Sequence, residues 1–252
     1  MNVLAFFAHP DDETMLAGGA LALLSKLGHC VHYLICTRGE GGETGVPPVS
    51  DQSLLGFYRE FETRNAISEL GGTSLSFLDY IDPIVGENNQ LYSFTNDIIT
   101  LKDQLADYFF KLQIDILITH GSNGEYGHPA HISAYQAARH LFDFHKSDNR
   151  FLYTVQANYD DPVKPHLINK DDPADWILNV DSVITKKVNA ARAHISQNAL
   201  FVRRMTKELN RPVSLEEVIV NKEPYSLAEG ERDPLYSIFQ LSGCIDKKIN
   251  RN

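Results

Sequence analysis

The sequence has few cysteines, no long apolar run and no cluster of basic residues. Its 252 residues include three cysteines and no C-x-x-C spacing, which favours small core side chains in a reducing compartment over a disulfide framework. No apolar stretch approaches the roughly 20 residues that a membrane helix requires. The first residues lack the positive charge of a conventional signal peptide. We therefore expect a cytoplasmic protein without a membrane span.

Positive charge is scarce overall. There are 23 Lys and Arg against 33 Asp and Glu, which gives a formal net charge of -10. Nucleic acids and anionic membranes attract proteins with concentrated Lys and Arg, so neither is an expected partner. A small molecule fits the composition better, and the sequence predicts no particular oligomeric state.

Strand-like and helix-like segments alternate through the first 160 residues, which is typical of βαβ units. The pattern predicts an α/β fold of Rossmann-like type, with a mostly parallel sheet flanked by helices. We expect one domain over residues 1–252, with 200–252 as a C-terminal extension packed on the core. The predicted strands cover 3–7, 30–36, 75–78, 114–119 and 151–155; the predicted helices cover 15–27, 53–70, 96–112, 132–144 and 182–209; turns are predicted at 158–162 and 170–173.

A first cluster of polar side chains follows the first predicted strand. His9, Asp11, Asp12 and Glu13 lie at its carboxyl end, where open α/β sheets usually place their chemistry. One imidazole and three carboxylates so close together require a cation or hydrogen-bond donors, and a divalent metal is the simplest candidate. The alternative is that Asp11 or Asp12 caps the following helix.

A second cluster follows the fourth predicted strand and begins the next helix. His128 and His131 are three residues apart, so a helical turn places both on one face. Three protein ligands and one open position form the usual catalytic zinc site. His9, Asp12 and one of these two histidines would supply the ligands, whereas Asp11, which points elsewhere, is free to handle a proton.

The two motifs, AHPDDE at 8–13 and GEYGHPAH at 124–131, resemble those of the LmbE-like (PIG-L) zinc de-N-acetylases. These enzymes remove acetyl groups from N-acetylglucosamine-containing substrates. An R-x-x-E pattern at 59–62, followed by Leu70-Gly71, and an A-H-x-S-Q pattern at 193–197 extend the resemblance in the expected order. The resemblance implies a metal-dependent hydrolase that acts on an N-acetylated amino sugar or glycoconjugate whose aglycone is open.

The resemblance also implies roles for individual residues. Zinc would be held by His9, Asp12 and His131, although iron or cobalt also suits two nitrogens and one carboxylate. Asp11 would be the general base for the attacking water. His128 and Tyr126 are the candidate donors to the oxyanion that develops on the acetyl group.

Three further residues are candidate substrate contacts. The resemblance suggests that Arg59 binds sugar hydroxyls and that Asp82 does the same, although Asp79 is nearly as well placed. Glu40 belongs to a glycine-rich loop, residues 37–45, that we interpret as facing the substrate. A flexible turn without function is the alternative for this loop. A phosphate loop is disfavoured, because the Gly-Lys-Ser/Thr ending is missing.

One departure from the family pattern concerns catalysis. The family usually has H-P-D-H where this chain has His128-Pro129-Ala130-His131. The missing aspartate is thought to support the first histidine and its charged form. Either another acid replaces it, or His128 titrates lower and activity suffers. The alternative function is therefore a catalytically weakened sugar-binding or regulatory member of the same fold.

Overall fold

An eight-stranded mixed sheet forms the centre of the molecule. The computed structural model describes residues 1–145, 149–160 and 167–249. The strands are β1 (Asn2–Phe7), β2 (Cys30–Thr37), β3 (Ser74–Tyr80), β4 (Ile116–Thr119), β5 (Phe151–Val155), β6 (Ala157–Asn158), β7 (Asn169–Pro173), β8 (Trp176–Asn179), β9 (Lys222–Glu229) and β10 (Ile245–Lys248). The sheet order is β10-β8-β9-β5-β4-β1-β2-β3, and β6 pairs with β7 separately.

Helices cover both faces of this sheet. They are α1 (Asp12–Lys26), α2 (Leu55–Leu70), α3 (Ile98–Lys111), α4 (Gly124–Gly127), α5 (Pro129–Phe144), α6 (Ile184–Ala193), α7 (Ile195–Leu209), α8 (Leu215–Val218) and α9 (Pro234–Leu241). One core cluster includes side chains of α1, α2 and α6, and the other includes side chains of α3 and α5. In the described ranges no helix is long and apolar enough to cross a membrane.

The strand β1 is buried on both faces, which explains its continuous apolar sequence. Val3, Ala5 and Phe7 face one core cluster, and Leu4 and Phe6 face the other. Strands β1 to β5 are mutually parallel where they pair, with β1 between β2 and β4. The predicted α/β fold with a mostly parallel sheet is thus confirmed, and the loops after β1 and β4 lie side by side at the carboxyl edge.

The carboxyl-terminal third differs from the sequence prediction. Strand β9 pairs antiparallel with β5 and β8, and β10 pairs antiparallel with β8, so the described part of the expected C-terminal extension contributes strands to the sheet as well as packing on it. The helix expected over 182–209 is interrupted at His194, whose ψ of 59° separates α6 from α7. The turn expected at 170–173 is part of β7. The turn expected at 158–162 lies partly outside the described residues, and the single-domain assignment stays a prediction.

Candidate metal centre and active site

Three predicted metal ligands converge where the loops after β1 and β4 meet. His9 Nδ1 lies 3.3 Å from Asp12 Oδ2, and His131 Nε2 lies 3.4 Å from Asp12 Oδ1. Their exposed fractions are 8%, 7% and 2%. Imidazole nitrogen and carboxylate oxygen are common ligands of zinc, so the chemistry of this buried donor set fits a divalent cation.

The local structure explains how the two motifs reach this point. Asp12 begins α1 directly after the turn that follows β1. His131 lies in the first turn of α5, which begins with Pro129, a residue well suited to the start of a helix. Between β4 and α5, positive φ angles at Gly124 (59°), Glu125 (58°) and Gly127 (85°) fold the chain back over the strand end.

Five buried residues could contribute to a metal site in the described part of the chain. Their ligand-type atoms form two overlapping groups, each with all atoms within 4.8 Å of one another: His9, His128 and His131, and Asp12, His120 and His131. His131 is common to both groups. The hydrogen bonds of each ring distinguish the available nitrogens from the engaged ones.

Two of the four histidines already use their acceptor nitrogen. The backbone N–H of Ala8 donates to His120 Nε2 at 3.0 Å, and the backbone N–H of Ala130 donates to His128 Nδ1 at 3.2 Å. A neutral imidazole has one acceptor nitrogen, so neither ring has a free lone pair for a metal in this arrangement. His120 Nδ1 then carries a proton, and so does His128 Nε2.

His131 is oriented by Glu125, a role that the sequence reasoning missed. His131 Nδ1 donates to Glu125 Oε2 at 2.6 Å, which leaves Nε2, the nitrogen near Asp12, available for coordination. A carboxylate behind a metal-binding histidine is a common arrangement that fixes its tautomer. His120 Nδ1 donates to the same Glu125 oxygen at 3.0 Å. The signal was present, since His120 directly follows β4 and Glu125 lies inside the second motif.

Asp82 contacts the other histidine ligand candidate. Its Oδ1 lies 3.2 Å from His9 Nε2, so the imidazole stands between two carboxylates, Asp82 and Asp12. Although burial opposes protonation, these two carboxylates raise the pKa of His9 to about 10. Burial alone would raise the pKa of Asp82, but the charge of His9 outweighs it and lowers that pKa.

Asp11 has an unusual backbone conformation beside the cluster. Its φ is 101°, a value that non-glycine residues rarely adopt, and its side chain makes no capping hydrogen bond to α1. Its Oδ2 instead accepts a hydrogen bond from Arg59 Nη2 at 2.9 Å. Burial, opposed by Arg59 and assisted by the charge of Asp12, raises the pKa of Asp11 to about 7. The carboxyl therefore exchanges protons near neutral pH.

Arg59 is a buried part of the pocket wall, 3% exposed. Besides Asp11, its guanidinium donates to Pro10 O at 2.5 Å and to Gly39 O at 2.9 Å. Its Nε has no hydrogen-bond partner in the described structure. Arg59 thus ties α2 to the loops after β1 and β2 and keeps one donor unused.

The glycine-rich loop faces the pocket through Gly41 and Gly42. A side chain at Gly41 would collide with Pro83 O, since an added Cβ would lie 2.0 Å from it. Glu40 contacts the same neighbouring loop, because its Oε2 accepts the Asp82 backbone N–H at 3.0 Å. The substrate contact predicted for Glu40 stays a prediction, and the observed contact positions Asp82.

The two proposed oxyanion donors lie next to His131. The rings of His128 and His131 stack with centroids 4.5 Å apart. Burial and the nearby rings of His9 and His131 lower the pKa of His128 to about 2. Among the described residues no carboxylate is hydrogen-bonded to His128, so no acid in that part of the chain replaces the usual aspartate. Tyr126 is 43% exposed at the pocket edge.

The remaining family-like residues hold α7 against the site. Glu62 accepts hydrogen bonds from the Ser196 backbone N–H at 2.8 Å and hydroxyl at 2.7 Å, at the start of α7. His194 Nε2 lies 3.1 Å from Glu13 Oε1, and Glu13 Oε2 accepts the Asp11 backbone N–H at 3.1 Å. The R-x-x-E and A-H-x-S-Q patterns therefore meet in space and support the Asp11 turn.

The family model described as "PIG-L: GlcNAc-PI de-N-acetylase" matches residues 4–142. A 1D-myo-inositol 2-acetamido-2-deoxy-alpha-D-glucopyranoside deacetylase from Corynebacterium efficiens is 30% identical over 225 residues, 78% of this chain and 72% of that protein. An Acidothermus cellulolyticus protein of the same name is 28% identical over 234 residues, 79% of this chain and 80% of that protein.

Solved structures share the fold at lower identity. An N,N'-diacetylchitobiose deacetylase from Pyrococcus horikoshii has a TM-score of 0.62 and 18% identity, with 90% of this chain and 83% of that chain covered. GalB, a 4-carboxy-2-hydroxymuconate hydratase from Pseudomonas putida, has a TM-score of 0.60 and 18% identity, with 92% and 98% covered. The fold carries more than one reaction, so the chemistry must be argued from the site.

Proposed function

Because the chain belongs to the PIG-L family, as its motifs predicted, we propose that it is a metal-dependent hydrolase that deacetylates an N-acetylglucosamine-type substrate. One observation carries the proposal: a buried His9, Asp12 and His131 cluster lines the same pocket as the carboxylate of Asp11, which Arg59 Nη2 holds at 2.9 Å. A metal-dependent hydrolase of this kind uses a metal site for the attacking water and a nearby base that accepts the proton of that water.

We assign His9, Asp12 and His131 as the metal ligands. The hydrogen-bond pattern supports this choice, because His120 and His128 have engaged their acceptor nitrogens with the backbone. Zinc suits two nitrogens and one carboxylate, and iron or cobalt is also compatible. When bound, such a metal supplies Lewis acidity, which polarises a carbonyl group and makes water a better nucleophile at neutral pH.

Asp11 is the proton carrier in this proposal. It accepts a proton from the water that attacks the acetyl carbon, and the same proton then passes to the sugar nitrogen as the C–N bond breaks. The products are first acetic acid and the free amine; the second proton of the attacking water then leaves the acid for the amine or the solvent, which gives acetate, so atoms and charge balance. The hydrogen bond from Arg59 holds the Asp11 carboxylate in place during both transfers.

His128 and Tyr126 are the proposed donors to the oxyanion of the acetyl group. His128 has Nδ1 occupied by the Ala130 backbone N–H, so a neutral ring carries its proton on Nε2 and can donate it. Tyr126 retains its phenolic proton at neutral pH, because the pKa of a tyrosine hydroxyl is ordinarily about 10. Such donors act by matching the charge that develops in the transition state.

We also propose which residues contact the sugar. Arg59 lines the pocket beside Asp11, which supports a contact between its guanidinium and a sugar hydroxyl. Asp82 lines the same pocket, and Glu40 supports it through the backbone contact. We propose that Glu40 affects substrate binding indirectly, because its carboxylate holds the backbone of Asp82 in position.

A second candidate is a weakened, sugar-binding member of the family. The observation in its favour is that no carboxylate among the described residues is hydrogen-bonded to His128, while burial and the nearby rings of His9 and His131 lower the pKa of this histidine. A protein of this kind would bind the metal and the sugar but would hydrolyse the acetamide slowly. Activity of the natural protein distinguishes it from the first.

The test combines metal analysis with amine release from methyl N-acetylglucosaminide. We expect stoichiometric metal and measurable amine for the wild type, and a loss of about 10²- to 10⁴-fold for Asp11→Asn with metal retained. Asp79→Asn, an exposed position, is the control. Amine release that is equal in Asp11→Asn, or equal after metal removal, would contradict the proposal.

A further inference from the structure

The pocket extends beyond the proposed metal ligands into an apolar cavity. The whole pocket, with the metal end included, has a volume of about 380 Å³, within the roughly 300–1,000 Å³ typical of small-molecule sites. The apolar part is lined by side chains of α1, α7 and the segment after α7, including Leu16, Leu200, Phe201, Met205, Val218 and Val220. These six residues are called the α7 subsite below.

The helix α7 contributes one continuous face to this cavity. The lining residues of α7 are at positions 197, 200, 201, 204, 205 and 208. Their spacing of three and four residues places them on one side of the helix. Hydrogen bonds from Ser196 to Glu62 and from Gln197 to Glu43 O anchor the start of α7, so this face has a fixed position.

The α7 subsite is continuous with the proposed catalytic groups. Leu16 follows Asp12 by one turn of α1 and lies on the same side of that helix. From the other side, the Arg204 guanidinium lies 5.6 Å from the centre of the Tyr126 ring. A substrate whose acetamide is beside Asp12 and Tyr126 can therefore extend into the apolar cavity.

The charges of the pocket argue against a phosphorylated substrate. Among the described lining residues, four carboxylates outnumber two guanidinium groups. Arg59 is already bonded to Asp11, and Arg204 lies over the Tyr126 ring and shares its face of α7 with the carboxylate of Glu208. Phosphate sites usually bring several cationic groups together, whereas the described lining has two guanidinium groups, one bonded to Asp11 and the other placed over Tyr126.

We infer that the α7 subsite binds an uncharged, apolar aglycone, an alkyl or aryl group attached to the N-acetylated sugar. This inference rests on the proposed function and goes beyond it by naming the class of aglycone. The helix α7 lies outside residues 4–142, the part matched by the family model, and all residues of the subsite except Leu16 belong to this chain's C-terminal third. Burial of the apolar group against Leu200, Phe201 and Met205 supplies the preference.

The catalytic test compares aglycones on one sugar. We would measure kcat/KM for amine release from methyl and hexyl N-acetyl-β-D-glucosaminide and from N-acetylglucosamine 1-phosphate, with metal-loaded protein. One methylene group in an apolar pocket is worth about 10- to 200-fold, so the hexyl compound should exceed the methyl compound at least about ten-fold. Equal values, or a preference for the phosphate, would overturn the inference.

Variants on α7 link the preference to the cavity. Phe201→Ala and Met205→Ala should lower the hexyl-to-methyl ratio several-fold, because each removes apolar surface from the subsite. Val202→Ala is the matched control, since Val202 is an apolar residue of the same helix that is absent from the described pocket lining. A ratio that falls equally in the control would contradict the assignment.

Binding without turnover separates this inference from the proposed function. Hexyl β-D-glucopyranoside has no acetyl group, so calorimetry reports its binding alone, with methyl glucopyranoside as reference. We expect tighter binding of the hexyl compound, weakened by Phe201→Ala and unchanged by Val202→Ala. If this pattern appears but no acetyl sugar is hydrolysed, the subsite stands and the hydrolase proposal fails. If methyl and hexyl compounds are hydrolysed equally and bind equally, the subsite fails and the hydrolase stands.

Discussion

Glu125 joins His131 through a hydrogen bond of 2.6 Å between Oε2 and Nδ1. The other three contacts of the carboxylate also come from donors: His120 Nδ1, the Gly121 backbone N–H and the Asn169 side-chain amide. Although burial raises the pKa of Glu125, the nearby histidines lower it far below its ordinary range. Four donors require an ionised carboxylate, which then orients His131 toward Asp12.

The first prediction follows from this arrangement. Glu125→Gln keeps the size of the side chain but turns an NH₂ group toward donors, so His131 loses its support. We expect metal affinity to fall about 10- to 100-fold, as measured by competition with a chelating dye. Glu87→Gln, an exposed glutamate, is the control. An unchanged affinity would show that His131 does not depend on Glu125, or is not a ligand.

The second prediction concerns Ala130. In the described structure the Ala130 backbone N–H donates to Nδ1 of His128, the side chain that caps α5, and burial lowers the pKa of the ring. Ala130→Asp adds a carboxylate that favours the charged ring, whose hydrogen bonds to an oxyanion are stronger. We expect turnover of methyl N-acetylglucosaminide at pH 7 to rise about ten-fold. This gain is smaller than the roughly 10²- to 10³-fold loss in turnover that removal of a whole oxyanion donor causes.

The control for this change is Ala130→Asn, which has similar volume and no charge. Because Ala130 is fully buried, both variants should lose stability, and a thermal melt of each separates that loss from the catalytic effect. Equal turnover in the two variants would mean that the charge state of His128 does not limit the reaction.

The fold of the first 155 residues was predictable because each central strand is buried on both faces. Such strands are continuous apolar runs bounded by turns, as in β1 and β2. Strands β8 to β10 escaped prediction for the opposite reason. They are short or mixed in polarity, and β9 contains Glu223 and Pro224, residues that argue against a buried strand when partners are unknown.

The candidate site was predictable where its residues lie within short motifs. Spacing named His9, Asp12 and one of two histidines, the family resemblance selected His131, and these three lie together in the structure. The support from Glu125 and the contact of Asp82 with His9 were not foreseen, because both depend on loops whose paths the sequence pattern does not specify. The break at His194 was missed because no glycine or proline marks it.

The third prediction tests the ion pair that allows β9 to enter the core. Lys187 Nζ lies 2.7 Å from Glu223 Oε1, and both side chains are fully buried. Lys187→Met should destabilise the protein by up to about 3–5 kcal/mol, because the buried Glu223 carboxylate loses its cation and keeps neutral donors, the N–H groups of Gly19 and Ala20 and the hydroxyl of Tyr225. Urea unfolding measures this loss. Lys186→Met is the matched control, since Lys186 is its exposed neighbour on α6 and should change stability by less than about 0.5 kcal/mol.

The fourth prediction concerns the pH dependence of metal binding. In the metal-free protein, Asp82 and Asp12 raise the pKa of His9 to about 10 against the opposing effect of burial, so His9 is protonated at pH 7. A metal must displace that proton, and metal binding therefore releases it. Because the proton competes below the raised pKa, the apparent affinity should increase about ten-fold per pH unit between pH 7 and pH 9. Competition titrations in this range, with proton release followed by an indicator dye, measure both quantities.

Asp82→Asn removes one of the two carboxylates that hold the proton, so it should reduce the proton release at pH 8. An affinity that is independent of pH would exclude His9 as a ligand that is protonated before the metal binds.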